Sequence, residues 1–284
     1  IIMIKKILIT GGAGLCGSVV NDGLKKLGYR ITVCDIKNSL SPAAKALKIP
    51  LSKSIKKIDL RNLKKVLNIT KGMDAVIHFG GIPRHKPSED IFQNIINHNI
   101  IATYNVFESC RINKVKRIIF ASSAHIMGYH DRRKKLDDKS EFRPDSHYAV
   151  SKCFGESLSK LYSDKYGIKI LNIRIGSALP KPTDMRFLST WISFRDLIQL
   201  VDVGLKSKKL YCSSVYGISK NTRAWWNNKE AYRLGYKPKD NAEKFSKNKL
   251  TKNEYKDKIA LRLHGGVFTT DGLKGKLKDI LNNN

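Results

Sequence analysis

Short runs of Ile, Leu and Val alternate with longer stretches whose apolar residues recur at helical spacing through the first 175 residues. That alternation is the pattern of a parallel sheet covered on both faces, a doubly wound α/β arrangement of the Rossmann type. Strands are expected at Ile4 to Ile9, Arg30 to Cys34, Ile55 to Asp59, Ala75 to Phe79, Arg117 to Ala121 and Lys169 to Ile175. Helices fill the gaps, most clearly Leu15 to Leu27, one long helix over Asp90 to Cys110, and Tyr148 to Tyr166. Past Ile175 the rhythm changes to Pro180, Pro182, a Trp-containing segment and shorter elements. The division expected is therefore a nucleotide-binding domain over residues 1–175 and a small, dependent, substrate-binding C-terminal lobe over 176–284.

At 284 residues and 41% hydrophobic content the chain can bury a sizeable core. The apolar opening, Ile1 to Thr10, is interrupted by Lys5 and Lys6 and runs straight into Gly11, so it reads as a first strand and not as a membrane span or signal peptide. Five cysteines without a Cys-x-x-Cys pair or metal-type spacing point to reduced thiols, a cytoplasmic protein and no metal. A net charge of +30 on its own suggests a polyanionic partner. Of the 54 cations, however, 40 are lysines scattered in ones and twos, whereas specific nucleic-acid readers use arginine forks and local patches. A solvated lysine coat is the simpler account, with salt-sensitive sticking to polyanions but no specific nucleic-acid partner.

Candidate chemistry begins at Gly11, Gly14 and Gly17, spaced by three between an expected strand and an expected helix. Glycines there permit a tight turn and bring backbone amides to a pyrophosphate at the positive helix end. Asp35, at the end of the next strand, is placed to accept the ribose hydroxyls and repel a 2'-phosphate, which favours NAD over NADP although Lys37 offsets part of that repulsion. The second constellation is Ser122-Ser123 at a strand end followed by Tyr148-Ala149-Val150-Ser151-Lys152. Tyrosine and lysine four apart share a helix face. A phenol is a poor base at neutral pH unless a neighbouring cation stabilises its anion. Tyr148 is then the base, Lys152 its activator, and Ser123 the group that holds the substrate oxygen. His78 reads as a hydrogen-bonded core residue, His125 as an even choice between pocket and surface, and His85, His130 and His147 as surface loop residues. Trp225 and Trp226 read as lobe packing.

These residues together resemble the extended short-chain dehydrogenases, the NAD-dependent epimerase and dehydratase group. Within it, His78-Phe79-Gly80-Gly81-Ile82, Tyr148 to Glu156, Arg174-Ile175-Gly176-Ser177, Arg186 to Trp191 and Gly235 to Glu243 resemble the uronate dehydrogenases. The resemblance runs from about Ile4 to Phe245. It implies oxidation at C1 of a cyclic hexuronate to an aldarolactone with NAD as hydride acceptor. It also implies cofactor contacts from Leu15, Cys16, Ile36, Asp59, Leu60, Phe79, Gly80, Gly81 and Ile175, with Asn99 holding the active-site strands. Ser177 and Arg186 become candidates for the substrate carboxylate, beside Ala124 and His125. Two positions depart from the family pattern: Ala124 stands where an asparagine is usual and Pro83 where a serine is. Losing two polar partners bears on which sugar is taken more than on the reaction. The rivals are an aldose dehydrogenase or sugar-nucleotide epimerase on the same fold and, more distantly, a non-catalytic nucleotide- or RNA-binding protein. A homo-oligomer is expected.

Overall fold

A computed structural model describes residues 4–50, 54–83 and 89–283. Seven parallel strands form the central sheet: β1 (Lys6–Thr10), β2 (Arg30–Asp35), β3 (Ile55–Lys57), β4 (Ala75–His78), β5 (Arg117–Ser123), β6 (Lys169–Ile175) and, after a short pair β7 (Ser177–Ala178) and β8 (Trp191–Ile192), β9 (Cys212–Gly217). Their spatial order is β3-β2-β1-β4-β5-β6-β9. The chain therefore moves outward from β1 to β3, returns to β4 and moves outward the other way. The crevice between β1 and β4 is where such sheets bind ligands.

The strands are apolar on both faces because both are covered. In β1, Leu8 packs with α3 (Leu63–Thr70), α5 (Ala102–Ile112) and α6 (His147–Tyr166), while Ile7 and Ile9 pack on the opposite face with α1 (Leu15–Lys26) and α8 (Phe194–Lys206). Each such side chain, fully buried, contributes about 1.5–3 kcal/mol. The remaining helices are α2 (Pro42–Ala46), α4 (Glu89–Ile95), α7 (Phe187–Thr190), α9 (Lys229–Leu234), α10 (Lys258–Arg262) and α11 (Leu277–Asn282). The five cysteines are unpaired, and no helix among the described residues is long and apolar enough to cross a membrane.

Three expectations need correction. The sheet does not stop at Ile175: α8 packs against α1, and β9 pairs with β6 from Ile170↔Cys212 to Ile175↔Gly217, so a boundary at 175/176 cuts the last helix and strand off their own sheet. The long helix is not one regular α-helix. A π-helical turn over Ile96–Ile101 separates α4 from α5. Finally, β3 ends at Lys57 and not Asp59, because Asp59 turns back to receive the Arg61 backbone N–H at 2.9 Å. The C-terminal lobe itself is built on small apolar clusters, one around Leu188, Trp191 and Ala242 and one around Tyr216 and Trp226.

Candidate active site

The turn leaving β1 explains its glycines. Gly11 has φ +68°, and a Cβ there would lie 2.5 Å from the Gly80 nitrogen; a Cβ at Gly17 would lie 2.3 Å from the Gly11 carbonyl oxygen. The two therefore bring α1 and the loop after β4 onto the turn. At Gly14, the N-cap of α1, a Cβ would meet one atom alone, the Gly11 oxygen at 3.2 Å. No side chain caps α1 and its first turn holds no carboxylate. Unfilled space at Gly14 beside an uncapped, positive helix end fits a pyrophosphate through the backbone amides of Leu15, Cys16 and Gly17.

Asp35 sits over the same turn. Its Oδ2 accepts the Ala13 N–H at 3.0 Å and its Oδ1 the Lys37 N–H at 3.4 Å, which fixes the carboxylate at the rim with Ile36 exposed beside it. Farther along, the Leu60 side chain packs against Gly80, while Asp59 is held by the Arg61 guanidinium, with one contact at 2.6 Å. Hydrogen bonds from Arg61 keep the Asp59 carboxyl low, at about 2. Asn105 secures this edge by donating to the Leu60 and Arg61 carbonyls, both at 2.9 Å.

Asn99 lies inside the π-helical turn, where the wider coil turns its amide toward the sheet end. It accepts the Ile82 N–H at 2.7 Å, and its amide nitrogen donates to the Ile82 carbonyl and to Ser151 Oγ, each at 3.1 Å. Ser151 in turn donates to the Tyr148 carbonyl at 2.6 Å. One side chain thus ties the Phe79-Gly80-Gly81-Ile82 loop to the helix that carries the tyrosine.

Ser146 caps α6, and Tyr148 and Lys152 follow one turn apart on one face. Ser123, the last residue of β5, hydrogen-bonds the Tyr148 phenol and also receives the His125 N–H at 3.2 Å. The Lys152 ammonium is buried, 5.5 Å from the Tyr148 ring centroid and 5.1 Å from that of Phe120. Burial pushes Tyr148 up to about 12 and Lys152 down to about 8. In the protein alone, desolvation therefore outweighs the Ser123 hydrogen bond that favours the phenolate. Cys16 and Asp145 both lie within electrostatic reach of Tyr148, so the glycine turn and the helix bearing Tyr148 converge.

Beyond Tyr148 lies a polar cluster from several elements. His125 Nδ1 meets Asp145 Oδ2 at 2.6 Å, and its ring packs edge-on to Phe268. Ala124 is buried beside it, in a 3-10 turn (Ala124–Met127). Arg186 precedes α7, nearly buried, with Nη1 on Glu254 Oε1 at 3.1 Å and its guanidinium 5.0 Å from the Trp225 ring. Burial, reinforced by Arg132, lowers Arg186 to about 10 in spite of Glu254. Arg132 takes the other Glu254 oxygen at 2.7 Å. Nε and Nη2 of Arg186 make no hydrogen bond to the described residues, which leaves the pair that suits a carboxylate. Ser177 is turned to Thr190, Oγ to Oγ1 at 2.9 Å.

Residues 7–194 match the family described as NAD dependent epimerase/dehydratase. The chain belongs to that family. It is 40% identical to the uronate dehydrogenase of Pseudomonas putida over 85% of this chain and 86% of that one. Among solved structures, a mutant uronate dehydrogenase from Agrobacterium tumefaciens complexed with NAD superposes with a TM-score of 0.84 at 35% identity, covering 96% of this chain and 100% of that one. A glucuronic acid dehydrogenase from Chromohalobacter salexigens gives the same score at 36% identity, over 95% and 98% of the two chains. The glycine turn follows β1, Asp35 ends β2 and Ser123 ends β5, so all three lie at one end of the sheet, where α6 brings Tyr148 to Ser123. Ile175 ends the strand beside Ser123, paired with it in register.

Among the histidines, the reading of His78 holds and those of His130 and His147 change. His78 is a core residue, bridging Thr10 Oγ1 at 2.7 Å and Thr103 Oγ1 at 3.1 Å, with burial pushing it down to about 3. His130 is not on the surface: it is buried with Nε2 on the Glu141 carbonyl at 2.8 Å. His147 is exposed, but it opens α6 and does not lie in a loop. His85 lies outside the described residues. Arg174, in a block that marked the resemblance, forms a buried pair with Glu156 at 2.9 Å and so supports the core. Asp145, Glu254 and Arg132 were missed, since nothing local in the sequence connects them to their partners.

Proposed function

We propose that the protein oxidises C1 of a cyclic hexuronate, such as galacturonate or glucuronate, to the aldarolactone. Tyr148 takes the proton of the anomeric hydroxyl, Ser123 orients that oxygen, and Lys152 stabilises the phenolate and reaches the cofactor ribose. NAD, when bound, supplies the hydride acceptor and a positive ring that opposes the upward push of burial on Tyr148. The glycine turn holds the pyrophosphate and Asp35 the adenosine ribose. Gly80, Gly81, Leu60 and the Asp59 backbone line the cleft. Arg186 reads the uronate carboxylate, with Ser177 and His125 at the edges of the same pocket.

The observation that carries this reading is the position of Asp145, which is within electrostatic reach of both Tyr148 and Arg186. A buried arginine with a free fork, sharing Asp145 as a neighbour with Tyr148, suits an acidic sugar better than a neutral one. Unpaired cysteines fit a cytoplasmic protein, and exposed Tyr104 and Ile112 on α5 with Val150 and Leu161 on the adjoining α6 fit a homo-oligomer. A single screen tests the reaction: NADH formation with galacturonate, glucuronate, the matching neutral aldoses and UDP-sugars. Turnover of the uronates above the rest supports it. Preference for a neutral aldose or a UDP-sugar overturns the substrate assignment.

A further inference from the structure

At the opposite end of the sheet from the glycine turn, where the strands begin, there is a cleft of about 680 Å³. Its floor is apolar, formed by Ile4, Leu27, Leu205 and the ring of Tyr29. Six cations line it: Lys5, Lys116, Arg117, Lys169, Lys206 and Lys208. They come from the starts of β1, β5 and β6 and from the end of α8, so the topology concentrates them although the sequence scatters them.

Arg117 is only 9% exposed and has no carboxylate partner among the described residues. Its Nη1 donates to the carbonyls of Gly204, Leu205 and Ser207 at 2.8, 2.7 and 3.2 Å, closing the C-terminal end of α8. Nε and Nη2 have no protein partner among the described residues, yet neither is sealed from solvent. Lys5, Lys116, Lys169 and Lys208 likewise have no ion pair among the described residues.

Helix dipoles explain part of this charge and leave the rest. The C-terminal ends of α1, α6 and α8 meet here, each equivalent to roughly half a negative charge. Asp202 is engaged by Tyr29 at 2.6 Å and Lys206 at 2.9 Å, and Asp74 accepts the N–H groups of Lys5 and Lys6. Counting all of these as full compensation still leaves an excess of about two to three positive charges around one cavity. Five of the six cations are lysines, compact point charges with rotatable donors that can gather on a phosphate, and Arg117 adds a planar fork that also pairs with phosphate oxygens. The volume falls in the range of sites that take a whole organic ligand, roughly 300–1,000 Å³.

We infer that this cleft is a second ligand site, for a phosphorylated organic anion of about nucleotide size, separate from the cofactor crevice. The phosphates lie among Lys116, Lys169 and Arg117, and the organic body covers Tyr29 and Leu27.

The test is equilibrium dialysis of radiolabelled ADP, pyrophosphate and adenosine against the protein saturated with NAD, so that the crevice is filled. ADP and pyrophosphate are expected to bind, ADP more tightly, and adenosine not measurably. In Lys116→Glu/Lys169→Glu the ADP affinity is expected to fall about tenfold or more, because reversal places like charges against the phosphates. The control Lys247→Glu/Lys249→Glu makes the same change in net charge at exposed positions elsewhere and is expected to bind as the parent does. Equal losses in both variants would show general attraction to a basic surface and overturn the site. So would no ADP binding under NAD saturation, or adenosine binding as well as ADP.

Discussion

Burial of the Lys152 ammonium sets folding against chemistry at one residue. Its titration is pulled from 10.5 to about 8 by desolvation, so the unfolded chain holds that proton more tightly than the folded one. At pH 7 both states are charged and the full penalty is present; between pH 8 and 10.5 the unfolded chain carries more protons and stability rises with pH. Tyr148, pushed up to about 12, contributes no pH dependence below its unfolded value near 10. Lys152→Met is therefore expected to stabilise the cofactor-free protein at pH 7, on the order of 2–3 kcal/mol, while damaging both NAD binding and turnover. Thermal melts at pH 7 and pH 9.5 check the sign: the gain should be several degrees at pH 7 and smaller at pH 9.5. Tyr148→Phe is expected to keep NAD affinity and lose turnover by about 100-fold or more, measurable by NAD titration and steady-state rates. These residues were legible because their geometry is local, four positions on one helix face or three glycines in one turn. Glu254 was not, because it meets Arg186 across 68 positions and no periodicity links the two. His130 was misread for a related reason: its polar sequence neighbours signal a loop, while burial comes from Glu141 and the C-terminal lobe.

Among the elements, the first six strands and the two helices bearing the motifs followed directly from their apolar spacing. The π-helical turn did not, since a single extra residue per turn leaves the apolar pattern of α4 and α5 nearly intact. Its effect is to aim Asn99 at Ile82 and Ser151. Asn99→Ala strands the Ile82 N–H and carbonyl at the crevice, with an expected cost of about 1–3 kcal/mol and a fall in kcat larger than the rise in KM for NAD. Denaturant melts and steady-state kinetics with varied NAD measure the two parts. At the end of β2, Asp35 holds the turn through Ala13, and the proposed function gives its charge the selection of NAD over NADP. Asp35→Ala should narrow the ratio of kcat/KM for NAD to that for NADP. A parent enzyme that prefers NADP would shift attention to Lys37. The strand β9 escaped notice because Cys212-Ser213-Ser214 lacks the dense apolar run of the inner strands, as its edge position allows.

For the whole molecule, the lobe beyond the sheet supplies Arg186, Glu254 and Trp225, and the sheet with its covering helix α6 supplies the phenol and the cofactor crevice. Neither part alone forms the proposed pocket, which is why the order of motifs along the chain pointed to a dehydrogenase while leaving its substrate to a single resemblance. The net charge of +30 is carried largely by exposed lysines, as a solvated coat requires, with the basic cleft at the strand starts as its local concentration. The central claim is that this enzyme recognises its sugar by the carboxylate. The most direct measurement compares kcat/KM for galacturonate and galactose in the parent and in Arg186→Ala. Removing one partner of a buried charge pair costs about 2–5 kcal/mol, so galacturonate should lose at least about tenfold, mainly in KM, while galactose changes little. Equal losses on the two sugars would show that Arg186 holds the lobe together through Glu254 and does not read the acid.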